Sequence, residues 1–179
     1  MSKNPEERRG KRVTLILLLG SCVLACGPAS ADEAAQCLAN GGKYLTGRVT
    51  GGPGFARGRH PLRGIELSHT HLTLLSDQDG RSWDIAVDNV FASGYDAARE
   101  TVPAPISRIR AGDRLEVCGR PFMDDTRPGL DWVHSNCGAT PTTRKPNGWL
   151  KILAVRNVPG PNLESSQRYC YLWSQPARW

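Results

Sequence analysis

The sequence contains no C-x-x-C pair, no apolar run long enough to anchor it permanently in a bilayer, no internal repeat and no low-complexity tract. The first absence argues against a clustered zinc site, whose cysteines usually come in such pairs. The second excludes a stable transmembrane helix, which needs about 20 apolar residues. Without repeats, the 179 residues leave room for one domain, or one domain with a tail. No motif implies a cofactor.

What is present begins with a targeting segment. Arg8, Arg9, Lys11 and Arg12 precede an apolar run from Val13 to Ala25, and Ala29-Ser30-Ala31 follows the helix-breaking pair Gly27-Pro28. That is the basic region, apolar region and cleavage site of a secretory signal peptide. Residues 1–31 are therefore expected to be removed, leaving a secreted or periplasmic chain that starts at Asp32. The phrases ending in Cys22 and Cys26 also resemble a lipobox, so a lipid anchor through either cysteine is the alternative. Residues 1–31 hold five of the 23 basic and two of the 17 acidic residues. The remaining net charge is +3 rather than +6, which weakens any whole-chain argument for polyanion binding and shifts attention to local charge.

The cysteines of the mature chain are Cys37, Cys118, Cys137 and Cys170. An even number in an exported chain reads as two disulfides, with three possible pairings. If a hairpin folds about Arg127-Pro128, Cys118 lies directly opposite Cys137, at the separation a cross-strand disulfide requires. Cys118–Cys137 is the pairing expected on that register, and Cys37–Cys170 then ties the two ends together. Oxidised thiols leave no cysteine nucleophile.

The central stretch, Gly64 to Val90, reads as two strands joined at Asp77-Gln78-Asp79-Gly80. Trp83, Ile85 and Val87 alternate as a half-buried strand requires. On the first strand Ile65 and Leu67 share one parity, Leu72 and Leu74 the other, so a β-bulge is expected near Ser68–His71. Before it come a polar lead-in (32–42) with one helical turn, a strand over 43–50, and a glycine-rich connection carrying Arg57, Arg59, His60 and Arg63. After it come a short helix at 96–99, a proline-rich link, strands near 114–120, 130–137 and 148–155, and an irregular tail over 156–179. Six short strands with Gly, Pro and Asp turns indicate an all-β barrel or sandwich. Their order resembles an OB-fold, a five-stranded, partly open barrel that binds through its strand 2–3 face and two loops. The expected fold is thus a small OB-like barrel over 43–155, with a C-terminal tail packed on it and pinned by a disulfide.

Three constellations carry possible chemistry. Residues two apart on a strand share a face, so His69 and His71 present two imidazoles to one metal ion, with His134 as a third ligand. Alternatively, His69 or His134 acts as a base oriented by Asp88 or Asp84, beside an arginine that stabilises an anion, as phosphodiester cleavage requires. The hairpin register also puts His134 on a face with Leu115, Val117 and Trp132, where a histidine is more often structural. Finally, Arg57, Arg59 and Arg63 on one loop, Arg144 and Lys145 on another, and Trp83, Trp132 and Trp149 as stacking faces suit an anion or nucleic-acid surface.

Ser68-His69, Asp88-Asn89-Val90, Trp132-Val133-His134 and Gly148-Trp149-Leu150-Lys151 resemble phrases in a family of small exported bacterial proteins of unknown function. Members of that family carry H-Q-R-F, A-H-N-I, W-T-H-H and G-G-W-x-K. Asp88 and Ser135 stand where the family pattern has histidines. The resemblance supports the barrel and supplies no reaction; Asn89 and Lys151, which lie in its phrases, join Trp149 among the candidate ligand contacts. The leading reading is a non-catalytic binding module for an anionic ligand or an envelope protein. The alternatives are a histidine-dependent phosphodiester hydrolase, with or without a metal ion, and a structural or inhibitory envelope protein.

Overall fold

The computed structural model describes residues 29–125 and 127–173. The expected signal peptide, with Cys22 and Cys26, lies outside the described residues except for its last three, which open helix α1 (Ala29–Ala39). Alanines favour this helix and Asp32 complements its N-terminal dipole, so the lead-in forms three turns rather than one. The strands are β1 (Lys43–Ala56), β2 (Pro61–Leu62), β3 (Ile65–Glu66), β4 (His69–Ser76), β5 (Ser82–Asp88), β6 (Arg114–Asp124), β7 (Arg127–Asp131) and β8 (Trp149–Ile152). Among the described residues no helix is long and apolar enough to cross a membrane.

The sheet order is β1-β4-β5-β7-β6, and pairing of β1 with β6 closes it into a five-stranded barrel. All barrel pairs are antiparallel except β5 with β7. This is the OB-like order expected, with β8 added outside β6. Leu45, Val49, Leu72, Leu74, Ile85, Val87, Leu115, Val117 and Leu130 fill the interior. Between β5 and β6, Pro103 and Pro105 preclude a long helix; a first 3-10 turn (Asn89–Phe91) follows β5, and a second (Ile106–Arg108) brings buried Ile106 and Ile109 against the core. The expected helix at 96–99 is only a turn, closed by Arg99 N–H donating to Asp96 O.

The expected bulge near Ser68–His71 is a strand boundary instead. Ile65 belongs to a separate ribbon, β2–β3, whereas β4 runs in unbroken register with β5 from His69↔Asp88 to Leu75↔Ser82. The register irregularities fall in β1, between Val49 and Gly54. Gly52 there has φ +81°, a conformation in which any Cβ is strained.

The disulfides are Cys37–Cys118 and Cys137–Cys170, not the pairs expected. The β6–β7 hairpin pairs Arg120 with Asp131 and Asp124 with Arg127, a register four residues away from one centred on Arg127-Pro128. In addition β7 ends at Asp131, and Trp132 turns away at φ +56°. Cys118 lies between Tyr44 of β1 and Trp149 of β8, where α1 delivers Cys37. Cys137 instead pins the tail, whose Tyr169 and Leu172 are buried against Val90, Phe91 and Tyr95.

A polar cluster reinforces the α1 dock. Lys151 Nζ lies 2.7 Å from Glu33 Oε2 and 3.2 Å from buried Glu116 Oε1. Trp149 Nε1 and Tyr44 Oη donate to the two oxygens of Glu116.

A combined trypsin and Asp-N digest of unreduced protein should yield Cys37 linked to Cys118 and Cys137 linked to Cys170. From loop length the two bonds contribute about 4.5 and about 3.8 kcal/mol, so Cys37→Ser/Cys118→Ser should lose about 4 kcal/mol in denaturant unfolding. A Cys118–Cys137 peptide, or an unchanged midpoint, contradicts this assignment.

Candidate functional site

Alternation along β4 and β5 sets up the outer face of the barrel. Thr70, Leu72, Leu74 and Ser76 are buried, so His69, His71 and Thr73 face outward. Trp83, Ile85 and Val87 point inward, which turns Asp84, Ala86 and Asp88 outward. Register then places His69 opposite Asp88, His71 opposite Ala86 and Thr73 opposite Asp84. Two outward histidines thus meet two outward carboxylates, one directly and one on the diagonal.

The β6–β7 hairpin forms the facing wall. Arg120 sits opposite Asp131 and holds it with both Nε (2.9 Å to Oδ1) and Nη2. Phe122 sits opposite Gly129, and its ring lies across that residue. A Cβ on Gly129 would fall 2.2 Å from the ring, so only glycine permits the arrangement. Between the walls runs a cleft of about 360 Å³, lined by His69, His71, Asp88, Arg120, Phe122 and Trp132, with Ala86 and Asp131.

Asp88 is the junction. Its Oδ1 lies 2.9 Å from His69 Nε2 and its Oδ2 lies 3.2 Å from His134 Nε2. Burial pushes the Asp88 carboxyl up, but hydrogen bonding to His134 and His69 and their charge outweigh it and hold it well below the usual carboxylate range. The His134 ring is only 3 % exposed. Its Nδ1 faces Ser135 O at 2.7 Å, and it stacks on Phe91 with centroids 3.6 Å apart. His134 is therefore fixed, whereas the His69 side chain is 35 % exposed and opens to the cleft.

His71 forms the second pair. Its Nδ1 lies 3.0 and 2.9 Å from the two Asp84 oxygens. The hydrogen bond to Asp84 raises its pKa above the ordinary 6.5 against the opposing effect of burial. His69 and His71 also border a second hollow of about 480 Å³, lined with Arg57, Arg59, His60 and Leu67. Arg57 is ion-paired with Glu100. The two hollows adjoin at His69 and His71, which line both, and together they are the groove.

Several expected contacts lie elsewhere. The expected metal pair of His69 and His71, with His134 as third ligand, is divided: His69 and His134 meet at Asp88, whereas His71 faces Asp84. Among the described residues no group of three or more His, Cys, Asp or Glu side chains is arranged to hold a metal ion. Asn89 is wholly buried, accepting from Thr70 Oγ1 and donating to Ser68 Oγ. It locks the start of β4 to the end of β5. Trp149 and Lys151 belong to the α1 dock, and Trp83 is core. Arg63 donates to Tyr171 O, and Arg144 offers its carbonyl to Arg120 Nη1. Arg120, Phe122 and Asp131 are absent from the sequence-based candidates. Their signal is the outward parity of Arg120 and Phe122 along R-P-F-M, which shows once β6 runs to Asp124.

Glu164 lies beside this site, its backbone oxygen accepting from Ser135 N–H. Its carboxyl is buried without a partner, and burial, with the Asp88 charge, raises its pKa well above the ordinary value. The chain matches no protein-family model, no curated protein and no solved structure. The resemblance to small exported bacterial proteins therefore adds nothing to the site beyond the residues themselves.

The Glu164 shift has a definite sign. A raised carboxyl pKa gives stability that is fully present below the unfolded value near 4.5 and lost as pH climbs toward the folded one. Glu164→Gln keeps the shape without the proton, so its stability relative to the native chain should grow from pH 4.5 to pH 8 in urea unfolding. A difference that stays the same at both pH values contradicts the buried, neutral carboxyl.

Proposed function

We propose that this disulfide-bonded barrel is an exported binding module that takes an extended, phosphate-bearing ligand along the groove on its outer face. One observation carries the reading. The groove runs over β4 and β5, the second and third strands of the barrel, beside the long loop that follows β1, which is the face through which OB-type barrels bind. Its chemistry fits an anionic chain: Arg59 and His60 stand exposed in the loop, His69 and His71 sit at the centre, and Arg120 lies on the far wall. Trp132 and Phe122 offer ring surface beside those cations, as single-strand binding uses. Two disulfides support an oxidising compartment outside the cytoplasm, in keeping with the signal peptide read at residues 1–31.

The probe is a twelve-residue oligothymidylate titrated against tryptophan fluorescence. Affinity should fall steeply with salt, by a log–log slope of about −0.7 for each phosphate contacted. Arg59→Glu should weaken binding at least tenfold and flatten that slope while leaving the melting temperature unchanged. Binding indifferent to salt and to Arg59→Glu removes the support for an anionic ligand.

A further inference from the structure

A surface that only held an anion would need cations in the groove and nothing more. This groove has two imidazoles, each with one ring nitrogen committed to a carboxylate. Asp88 faces Nε2 of His69 at 2.9 Å, which holds the proton on that nitrogen and leaves Nδ1 as the acceptor in the neutral ring. Asp88 is itself held from behind by His134, a ring clamped by Phe91 and the Ser135 carbonyl. An imidazole oriented by a carboxylate that is oriented in turn by a third group is the arrangement of a general base.

His71 is built the other way round. Asp84 takes its Nδ1 with both oxygens, so Nε2–H is the proton left to give, and the ring is 46 % exposed. The protonated form is favoured by the same carboxylate. The Cα atoms of residues two apart on a strand lie about 6.6 Å from each other, and the rings lean to Asp88 and Asp84, four residues apart on β5, which leaves room between them for one phosphorus with its attacking and leaving oxygens. Arg120, whose planar fork is fixed by Asp131, lies across the cleft where charge on the non-bridging oxygens would develop.

We infer that the groove hydrolyses phosphodiesters, with His69 as general base and His71 as general acid on either side of one phosphate. The inference rests on the binding reading above and replaces the expectation of a module without catalysis. Water attacks phosphorus and gives its proton to His69 Nδ1 as the new P–O bond forms. The opposite P–O bond breaks, and the departing oxygen takes the proton from His71 Nε2. One diester and one water become a monoester and an alcohol. The protonated His69 and neutral His71 then exchange protons with solvent. Asp88 and His134 are positioning residues that touch neither substrate nor the reacting atoms.

The test uses the oxidised chain with bis(4-nitrophenyl) phosphate in EDTA, following 4-nitrophenolate, beside oligothymidylate binding on the same preparation. The expected result is catalytic release that falls at least 100-fold in His69→Gln and in His71→Gln. The second ring is on the surface, so its variant stays informative if the first fails to fold. Release no faster than buffer, with oligothymidylate still bound, overturns the hydrolase and leaves the binding module. Release that survives either substitution overturns it too. If neither binding nor release is seen, both readings fail together.

Discussion

A single carboxylate shared between two imidazoles holds the functional face together. Asp88 is the last residue of β5, with Asn89 starting a 3-10 turn behind it. The carboxylate is only 25 % exposed, an expensive position for a charge without partners. His69 reaches it from the first residue of β4 and His134 from the segment that follows β7. The two strands of the central hairpin and the distant segment after β7 are thus joined at one point. Asn89, buried directly behind, repeats the join with Ser68 and Thr70.

The rest of the molecule makes that point rigid. On one side the tail is fastened by Cys137–Cys170, and Tyr169 and Leu172 pack around Phe91, the ring that stacks on His134. On another, Cys37–Cys118 and the Glu33–Lys151–Glu116 cluster fasten α1 to β6 and β8. The barrel between them gives the outward residues of β4, β5 and β6 fixed spacings. Geometry of this kind is what a site on strands offers over a site on loops. The loop carrying Arg59 and His60 supplies charge and approach rather than geometry.

Local pattern made part of this readable and long-range pairing hid the rest. Trp83, Ile85 and Val87 alternate plainly, the Asp77–Gly80 turn is spelled out, and the outward set Asp84, Ala86, Asp88 follows from them. His69 and Asp88 both fell in the central hairpin and could be singled out together. What sequence could not give was the register of the β6–β7 hairpin. A shift in its centre moved Cys118 away from Cys137 and turned Arg120 and Phe122 into the far wall of the cleft. The change of parity between Leu67 and Leu72 was real, but its cause was a separate two-stranded ribbon rather than a bulge. The phrase Gly148-Trp149-Leu150-Lys151 puts Lys151 and Trp149 among the expected ligand contacts through the family resemblance. Their partner Glu116 faces them from the neighbouring strand and makes them structural.

Catalysis in the groove requires His69 to be an oriented ring rather than a loose surface histidine. Long-range ¹H–¹⁵N spectra of the histidine side chains, taken where the His69 ring is neutral, read this directly. The expected result is a single tautomer for His69 with the proton on Nε2, shared with Asp88, and Nδ1 unprotonated. Nitrogen shifts averaged between the two tautomers, as in a free imidazole, or a proton fixed on Nδ1, contradict it.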